Sequence, residues 1–292
     1  MDNTYKIITD ATSDLDIELY EPGSIEVIPM PVTLDGREFN HYADYREMSL
    51  KSFYDTLRDG KTSSTAQINT YTYIKYFEPY LKDDLDIIYL CFSSALSSTI
   101  QSARIAIEEL KGKYPDRKIL CIDTLCASTG LGYLVYNALQ KQAQGYSIES
   151  LAEWAETEKL HICHWFTVDD LNHLYRGGRL SKTAAVAGTM FQIKPLLIVD
   201  NAGGLTVVEK IRGLNKACSA MITHMKDSGI NLEDQTIFIG HGDSLDSAKK
   251  LETMIQNEIK VKKIYIMPIG PVVGSHTGPG MLSVFFFGNQ RQ

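Results

Sequence analysis

Three stretches of the sequence place hydroxyl side chains directly after a predicted strand, namely residues 10–14, 93–99 and 123–129. Hydroxyl groups, together with the free N–H groups at the start of a following helix, bind anions such as carboxylate or phosphate. A fourth hydroxyl run, residues 62–65, precedes the predicted helix at Tyr71. Four such runs predict one polar site for a small anion. Taken one at a time, each is better explained by Ser and Thr that cap a helix.

Two further segments bring a cation or a histidine together with glycine. In residues 176–179 (RGGR), the two glycines predict a turn that directs an arginine toward an anion, which arginine holds through a fork of donors. An RNA-binding RGG element is the other interpretation, and a single copy in an acidic chain argues against it. The glycine-rich residues 274–280 predict a loop whose backbone approaches a ligand closely. His276 within it suits a site residue or an ordinary turn residue, and it is expected to titrate near neutrality.

These segments need a scaffold that gathers them, and the order of predicted elements supplies one. In the first half, strands alternate with helices, which indicates a Rossmann-like α/β unit with a parallel sheet and ligands at the carboxyl ends of its strands. The strands are predicted at 6–10, 25–32, 87–92 and 119–123, and the helices at 49–57, 71–81, 99–110 and 131–143.

The pattern changes after residue 147. Helices are predicted at 148–159, 214–225 and 244–258, strands at 162–168, 236–240, 263–267 and 284–287, and an antiparallel hairpin over 195–210. That order is typical of an α+β unit with a mixed or antiparallel sheet. We therefore predict two domains, 1–155 and 156–292, with the anion site on the first.

Composition excludes several classes of function. Lys and Arg number 29 and Asp and Glu number 36, which gives a formal charge of −7 and argues against a nucleic-acid partner. No apolar run approaches the roughly 20 residues that span a bilayer, and no secretory leader is visible, so we expect a cytoplasmic protein without stable membrane insertion. There is no GxxxxGK loop and no GxSxG elbow. The pair His161 and Cys163, with His164 on the opposite strand face, does not form a zinc site. We expect neither cofactor nor metal.

The same segments, in this order, resemble the DegV family of bacterial fatty-acid-binding proteins. The resemblance is carried by TDATSDL at 9–15, TAQIN at 65–69, FSSALSSTIQSA at 92–103, DTLCASTGLG at 123–132, RGGRLS at 176–181 and GPVVGSHTGPG at 270–280. Each motif is weak alone, but six in order span nearly the whole chain and are specific.

The resemblance implies a fold, a ligand and a site. Family members have two α/β domains and hold a long-chain fatty acid, with its carboxylate at the domain junction and its tail in an apolar tunnel of the second domain. Some are carrier subunits of a fatty-acid kinase that makes acyl phosphate. By correspondence, Thr65 and Ser97 match the hydroxyls that bind the carboxylate, and the backbone N–H of Ser98 adds to them. His276 and Arg179 match polar residues near the head group.

The chain departs from the family pattern at three positions. It has Ala66 and Ala11 where the family usually has Ser, and Ser98 where the family usually has Gly. Ala66 removes one possible hydroxyl, and Ser98 adds a side chain where the backbone would approach the ligand. We therefore expect these departures to affect the affinity for the head group or the choice of acyl chain.

Burial of the acyl tail is expected to dominate the affinity, since each buried CH₂ contributes about 0.8 kcal/mol. The most apolar part of the second half supplies the tunnel candidates, which ordinary core packing explains equally well: Val186, Met190, Phe191, Leu196, Leu197 and Ile198.

An enzyme is the alternative to a carrier. It would act on a small carboxylate or phosphate, with Ser97 as nucleophile and His276 as base. No recognisable motif activates Ser97, so the carrier is the preferred interpretation.

Overall fold

The structure, a computed structural model, describes residues 4–181, 183 and 193–291. Its strands are β1 (Tyr5–Asp10), β2 (Ile25–Ile28), β3 (Met30–Leu34), β4 (Arg37–His41), β5 (Ser63–Thr65), β6 (Asp86–Cys91), β7 (Ile119–Asp123), β8 (Ile162–Thr167), β9 (Ile193–Val199), β10 (Leu205–Arg212), β11 (Thr236–His241), β12 (Lys263–Pro268) and β13 (Leu282–Phe287). Its helices are α1 (Leu50–Arg58), α2 (Thr70–Lys82), α3 (Thr99–Lys113), α4 (Thr129–Ala143), α5 (Ile148–Glu158), α6 (Asn172–Arg176), α7 (Leu214–Ser228), α8 (Leu245–Glu258) and α9 (Pro271–Thr277).

The first sheet is parallel, with strand order β2-β1-β6-β7. Every residue of β1 is buried, as a central strand covered on both faces requires. One face packs on α2 and α3 through side chains such as Phe77 and Ile107. The other packs on α4 and α5 through side chains such as Leu134 and Leu151. The predicted Rossmann-like arrangement of this half is confirmed.

A small antiparallel sheet, β4-β3-β5, lies beside the first sheet. It accounts for two differences from the predicted elements. The single stretch 25–32 is two strands, which separate at Pro29, a residue without a backbone N–H to donate. The hydroxyl run 62–65 does not cap a helix. It forms strand β5, in which Thr65 is in register with Val32.

The second sheet has six strands in the order β10-β9-β8-β13-β11-β12, and only β11 and β12 run parallel. The predicted hairpin is the antiparallel pair β9 and β10. Helices α7 and α8 cover one face of this sheet. The mixed sheet predicted for this half is confirmed.

Helix α4 joins the two sheets. It contacts β6 of the first sheet and β8, β11 and β13 of the second. Apolar side chains from both halves, such as Leu134 and Phe285, belong to one buried cluster around it. The carboxyl ends of β1, β6 and β7 therefore face the second sheet, at a junction where residues from both halves meet. The division into domains at residue 155 stays a prediction.

Within the described ranges, no helix combines the length and the apolar character needed to cross a membrane.

Candidate functional site

A cavity of about 230 Å³ lies at the junction of the two sheets. Most of its wall is apolar, and both halves contribute: Met30, Ala66, Phe92, Leu96, Ala127, Phe166, Leu174, Val199, Leu205, Val272, Val273, Met281 and Phe285. The polar groups on the wall are Thr12, Thr65, Gln67, Ser97, Ser98, Ser128, His164, Arg179, His276 and Thr277. All five residues predicted for the site line this one cavity.

Thr65 and His276 form a direct pair across the junction. Thr65 Oγ1 lies 2.8 Å from His276 Nε2, although the two residues are 211 positions apart in the chain. Strand β5 presents Thr65, and α9 presents His276. The prediction of a glycine-rich loop at 274–280 is wrong for residues 274–277. These residues belong to α9, and the turn begins at Gly278. His276 therefore sits on a rigid helix.

The other side of the His276 ring packs against the backbone of Gly177. A Cβ atom at Gly177 would lie 2.1 Å from His276 Nδ1, so only glycine leaves room for the ring. His276 Nδ1 is buried and has no hydrogen-bond partner among the described residues. Burial and the positive charge of Arg179 lower the pKa of His276 to about 4. The expected titration near neutrality is therefore wrong, because a charged ring at this position would lose its hydration.

Ser97 and Ser98 stand at the start of α3, as predicted. Ser97 Oγ accepts the backbone N–H of Thr99 at 3.3 Å, which leaves its own hydroxyl proton for another acceptor. Ser98 is the residue before the first turn of α3 and its side chain caps no backbone group. Its exposed side chain stands on the cavity rim. The two serines thus bring donors from the α3 N-terminus to the cavity that holds Thr65.

Arg179 ties the RGGR turn to the loop before α3. Its Nε donates to the carbonyl of Leu96 at 2.9 Å, and its Nη1 donates to the carbonyl of Gly177. Burial lowers the pKa of Arg179, but a guanidinium stays charged in proteins. Arg179 therefore braces the turn and also brings a positive charge to the cavity wall.

Asp14 is a buried carboxylate in the hydroxyl-rich stretch 10–14, and the sequence did not predict a contact for it. Its Oδ2 accepts the hydroxyl of Ser128 at 2.6 Å, and its Oδ1 accepts the N–H of Gly270 at 2.9 Å. Burial raises the pKa of Asp14 to about 7. Asp14 thus joins the start of α4 to the start of α9, the helix that carries His276.

His164 is a wall residue that the sequence did not assign to the site. Its Nε2 accepts the N–H of Ala127 at 3.3 Å, so its proton is on Nδ1, which donates to the carbonyl of Ile162 at 2.8 Å. Burial lowers its pKa well below the ordinary value. A Cβ at Gly130 would lie 2.2 Å from this ring. His164 is therefore a neutral part of the wall and not a base or a ligand.

The tunnel candidates divide into two groups. Leu196, Leu197 and Ile198 of β9 are buried core side chains, and the cavity wall at this strand is formed by Val199. Ordinary core packing, which the sequence left open, is the role of these three. The other three candidates lie outside the described residues: Val186, Met190 and Phe191.

The arrangement that the alternative enzyme requires is not present. His276 Nε2 is bonded to Thr65 and its Nδ1 faces Gly177, so neither nitrogen bonds Ser97. Ser97 Oγ contacts the backbone N–H of Thr99 instead. Within residues 4–181, 183 and 193–291, no cluster of three His, Cys, Asp or Glu side chains could hold a metal ion.

Comparison with known proteins shows the family of the chain. Residues 4–289 match a family model whose description reads "Uncharacterised protein, DegV family". A DegV domain-containing protein of Clostridium perfringens is 42% identical over 288 residues, which cover 99% of each chain.

Two solved structures share the fold. A structure described as fatty acid binding of a DegV family protein from Thermus thermophilus superposes with a TM-score of 0.87 at 25% identity, over 98% of this chain and 99% of that one. The Streptococcus pneumoniae Fatty Acid Kinase (Fak) B3 protein loaded with linoleic acid superposes with a TM-score of 0.85 at 21% identity, over 97% of this chain and 99% of that one. At that identity the second likeness concerns the fold alone.

Proposed function

The chain belongs to the DegV family, and from this premise we propose that it is a non-enzymatic carrier that binds one long-chain fatty acid at the sheet junction. The observation that carries the proposal is the cavity itself, an apolar wall that meets hydroxyl and cationic groups at one place. The Thermus thermophilus relative of the same fold is described as binding a fatty acid. The carboxylate lies against Thr65 and Ser97, and the tail lies along the apolar wall of the second sheet.

The head group needs several donors, because a buried carboxylate is costly unless hydrogen bonds and a positive charge meet it. Ser97 has a free hydroxyl proton, and Arg179 supplies the charge. Thr65 can donate its hydroxyl proton to the carboxylate when its Oγ1 accepts a hydrogen bond from the N–H of His276 Nε2. The neutral ring with its proton on Nε2 therefore sets the direction of the Thr65 hydroxyl. The backbone N–H of Ser98 adds a fourth donor.

The tail supplies most of the affinity. At about 0.8 kcal/mol for each buried CH₂, a sixteen-carbon chain offers on the order of 10 kcal/mol before the cost of ordering it. The part of the wall that would receive it belongs to the second half and includes Phe166, Met281 and Phe285. Affinity should therefore depend more strongly on chain length than on any single polar contact, which contributes about 1.5–3 kcal/mol.

We further propose that the bound acid is presented to a fatty-acid kinase. In that step a carboxylate oxygen forms a bond to the terminal phosphorus of a nucleoside triphosphate held by the kinase. The bond from that phosphorus to the bridging oxygen breaks, and the electron pair leaves with the nucleoside diphosphate. The carrier contributes a carboxylate that is held in place and remains reachable while its tail is buried.

Mass spectrometry of gently purified protein under native and denaturing conditions tests the proposal. We expect a non-covalent adduct with the mass of a long-chain fatty acid, which is lost on denaturation. A covalent acyl adduct on Ser97 would instead support the enzyme and overturn the carrier.

A further inference from the structure

A second cavity, of about 300 Å³, adjoins the first and shares three residues with it: Thr65, Arg179 and His276. The hydrogen-bonded pair of Thr65 and His276 therefore stands between two spaces of different character. We call the second space the outer cavity. A ligand carboxylate that contacts Thr65 lies at the boundary of the outer cavity.

The charged side chains on the outer cavity wall are all cationic. They are Lys61, Arg176 and Arg179, and the described residues contribute no Asp or Glu to this wall. Arg179 is held by two carbonyl groups at the shared boundary. Lys61 is half exposed and reaches Asp35, outside the wall, at 3.2 Å, a weak surface pair that an anion can displace. The outer cavity therefore favours negative charge.

Hydroxyl groups complete the wall. Ser63 and Ser275 lie 2.6 Å apart through their Oγ atoms, and each can also donate to a carbonyl, that of Thr33 at 3.1 Å or that of Pro271 at 2.7 Å. The two hydroxyls have only two protons for these three contacts, so one contact is always without a proton, and a new acceptor would take the place of one of the existing partners. This is a set of adaptable donors beside the cations.

His173 fixes the position of the outermost arginine. Arg176 Nη2 lies 3.2 Å from His173 Nδ1, and because arginine has donors only, Nδ1 accepts and the imidazole proton is on Nε2. Burial and the charge of Arg176 lower the pKa of His173. A Cβ at Gly278 would lie 2.5 Å from this ring, so the turn after α9 packs on it closely. The neutral His173 ring therefore orients Arg176, and close packing against Gly278 holds that ring in position.

We propose that the outer cavity is a phosphate site that receives the phosphoryl group attached to the bound carboxylate. The inference rests on the proposed function, because it is the Thr65-bound carboxylate that directs the group into this space. A phosphate-type dianion carries more charge than the acid, and three cations with reorientable hydroxyls suit it. The first cavity, with its mostly apolar wall, does not.

The test compares two ligands that differ in the phosphate group. Delipidated protein is titrated calorimetrically with palmitate and with 2-oxoheptadecylphosphonate, a stable analogue of palmitoyl phosphate. The variant is Lys61→Gln/Arg176→Gln. The control is Arg104→Gln/Lys249→Gln, which removes the same charge from exposed positions outside both cavities. A third titration adds inorganic phosphate to palmitate-loaded protein, which distinguishes an incoming phosphate from the group already joined to the ligand.

We expect the variant to bind the analogue about tenfold more weakly, or weaker still, and to change its affinity for palmitate less than twofold. The control pair should change neither affinity. If the variant also binds inorganic phosphate more weakly, the outer cavity binds an incoming phosphate as well. The inference is overturned if the variant binds the analogue as tightly as the unmodified protein does, or if the control pair weakens binding of the analogue equally. Failure of the unmodified protein to bind palmitate would overturn the proposed function instead, which keeps the two failures apart.

Discussion

Gly177→Ala is expected to impair ligand binding without disturbing the backbone on which it lies. Gly177 has φ −72° and ψ −10°, which alanine adopts freely. The new Cβ, however, would lie 2.1 Å from His276 Nδ1, so the ring must move by about 1.3 Å or more to reach ordinary van der Waals contact. Because Thr65 lies on the opposite side of the ring from Gly177, the displaced ring can no longer keep the 2.8 Å hydrogen-bond geometry between Nε2 and Thr65 Oγ1. A Thr65 hydroxyl that no longer points at the ligand carboxylate loses a hydrogen bond to a charged acceptor, which costs about 1.5–3 kcal/mol of binding free energy. Palmitate affinity should fall roughly 10- to 150-fold.

Calorimetric titration of delipidated protein with palmitate measures the effect. Gly112→Ala is the matched control, because a Cβ there would meet no atom within 4 Å beyond its chain neighbours and the backbone of its own helix, α3. It should bind normally and be equally or slightly more stable. In a His276→Ala background, Gly177→Ala should cause no further loss, since the ring it displaces is gone. Normal palmitate affinity in folded Gly177→Ala, or an additive loss in the double variant, would refute the reasoning.

Three further predictions concern the head group. Thr65→Val and Ser97→Ala should each weaken palmitate binding by about 1.5–3 kcal/mol with unchanged thermal unfolding, and calorimetry showing normal affinity in both would place the head group elsewhere. Arg179→Ala and His276→Ala should slow acyl-phosphate formation by a cognate kinase at saturating palmitate more than they reduce affinity; normal turnover in folded variants would contradict a role near the transferred group. The lowered pKa of His276 is below its unfolded value, so the folded ring is neutral above about pH 5 and protonates only as the pH falls toward 4. Its imidazole NMR signals should therefore not titrate between pH 5.5 and 8, and an inflection near pH 6.5 would disprove the assignment.

The buried strands were predictable because their residues are apolar on both faces and bounded by turn residues. Strand β5 was not, since its three residues are hydroxylic and become a strand only by pairing with β3. Helix α9 was missed because glycine, histidine and threonine dominate its second half. It is held by contacts no local pattern reveals, such as the bond from Gly270 to Asp14 across 256 residues.

The sequence predicts which residues belong to the site, but not how they contact one another. Their order along the chain carries the family resemblance, and all five line one cavity. The pairing of Thr65 with His276 and the low pKa of that ring depend on packing between the two halves. The role of Gly177 follows from the same contact. Of the tunnel candidates, three proved to be core, since apolar runs do not reveal which side chains face a cavity.

The most direct test of the central claim is a calorimetric titration of delipidated protein with palmitate and with acetate. The two ligands share the carboxylate and differ in the tail. We predict saturable binding of palmitate with a dissociation constant in the sub-micromolar to micromolar range and no measurable binding of acetate, because tail burial supplies most of the free energy. Equal binding of the two acids, or no binding of palmitate, would contradict it.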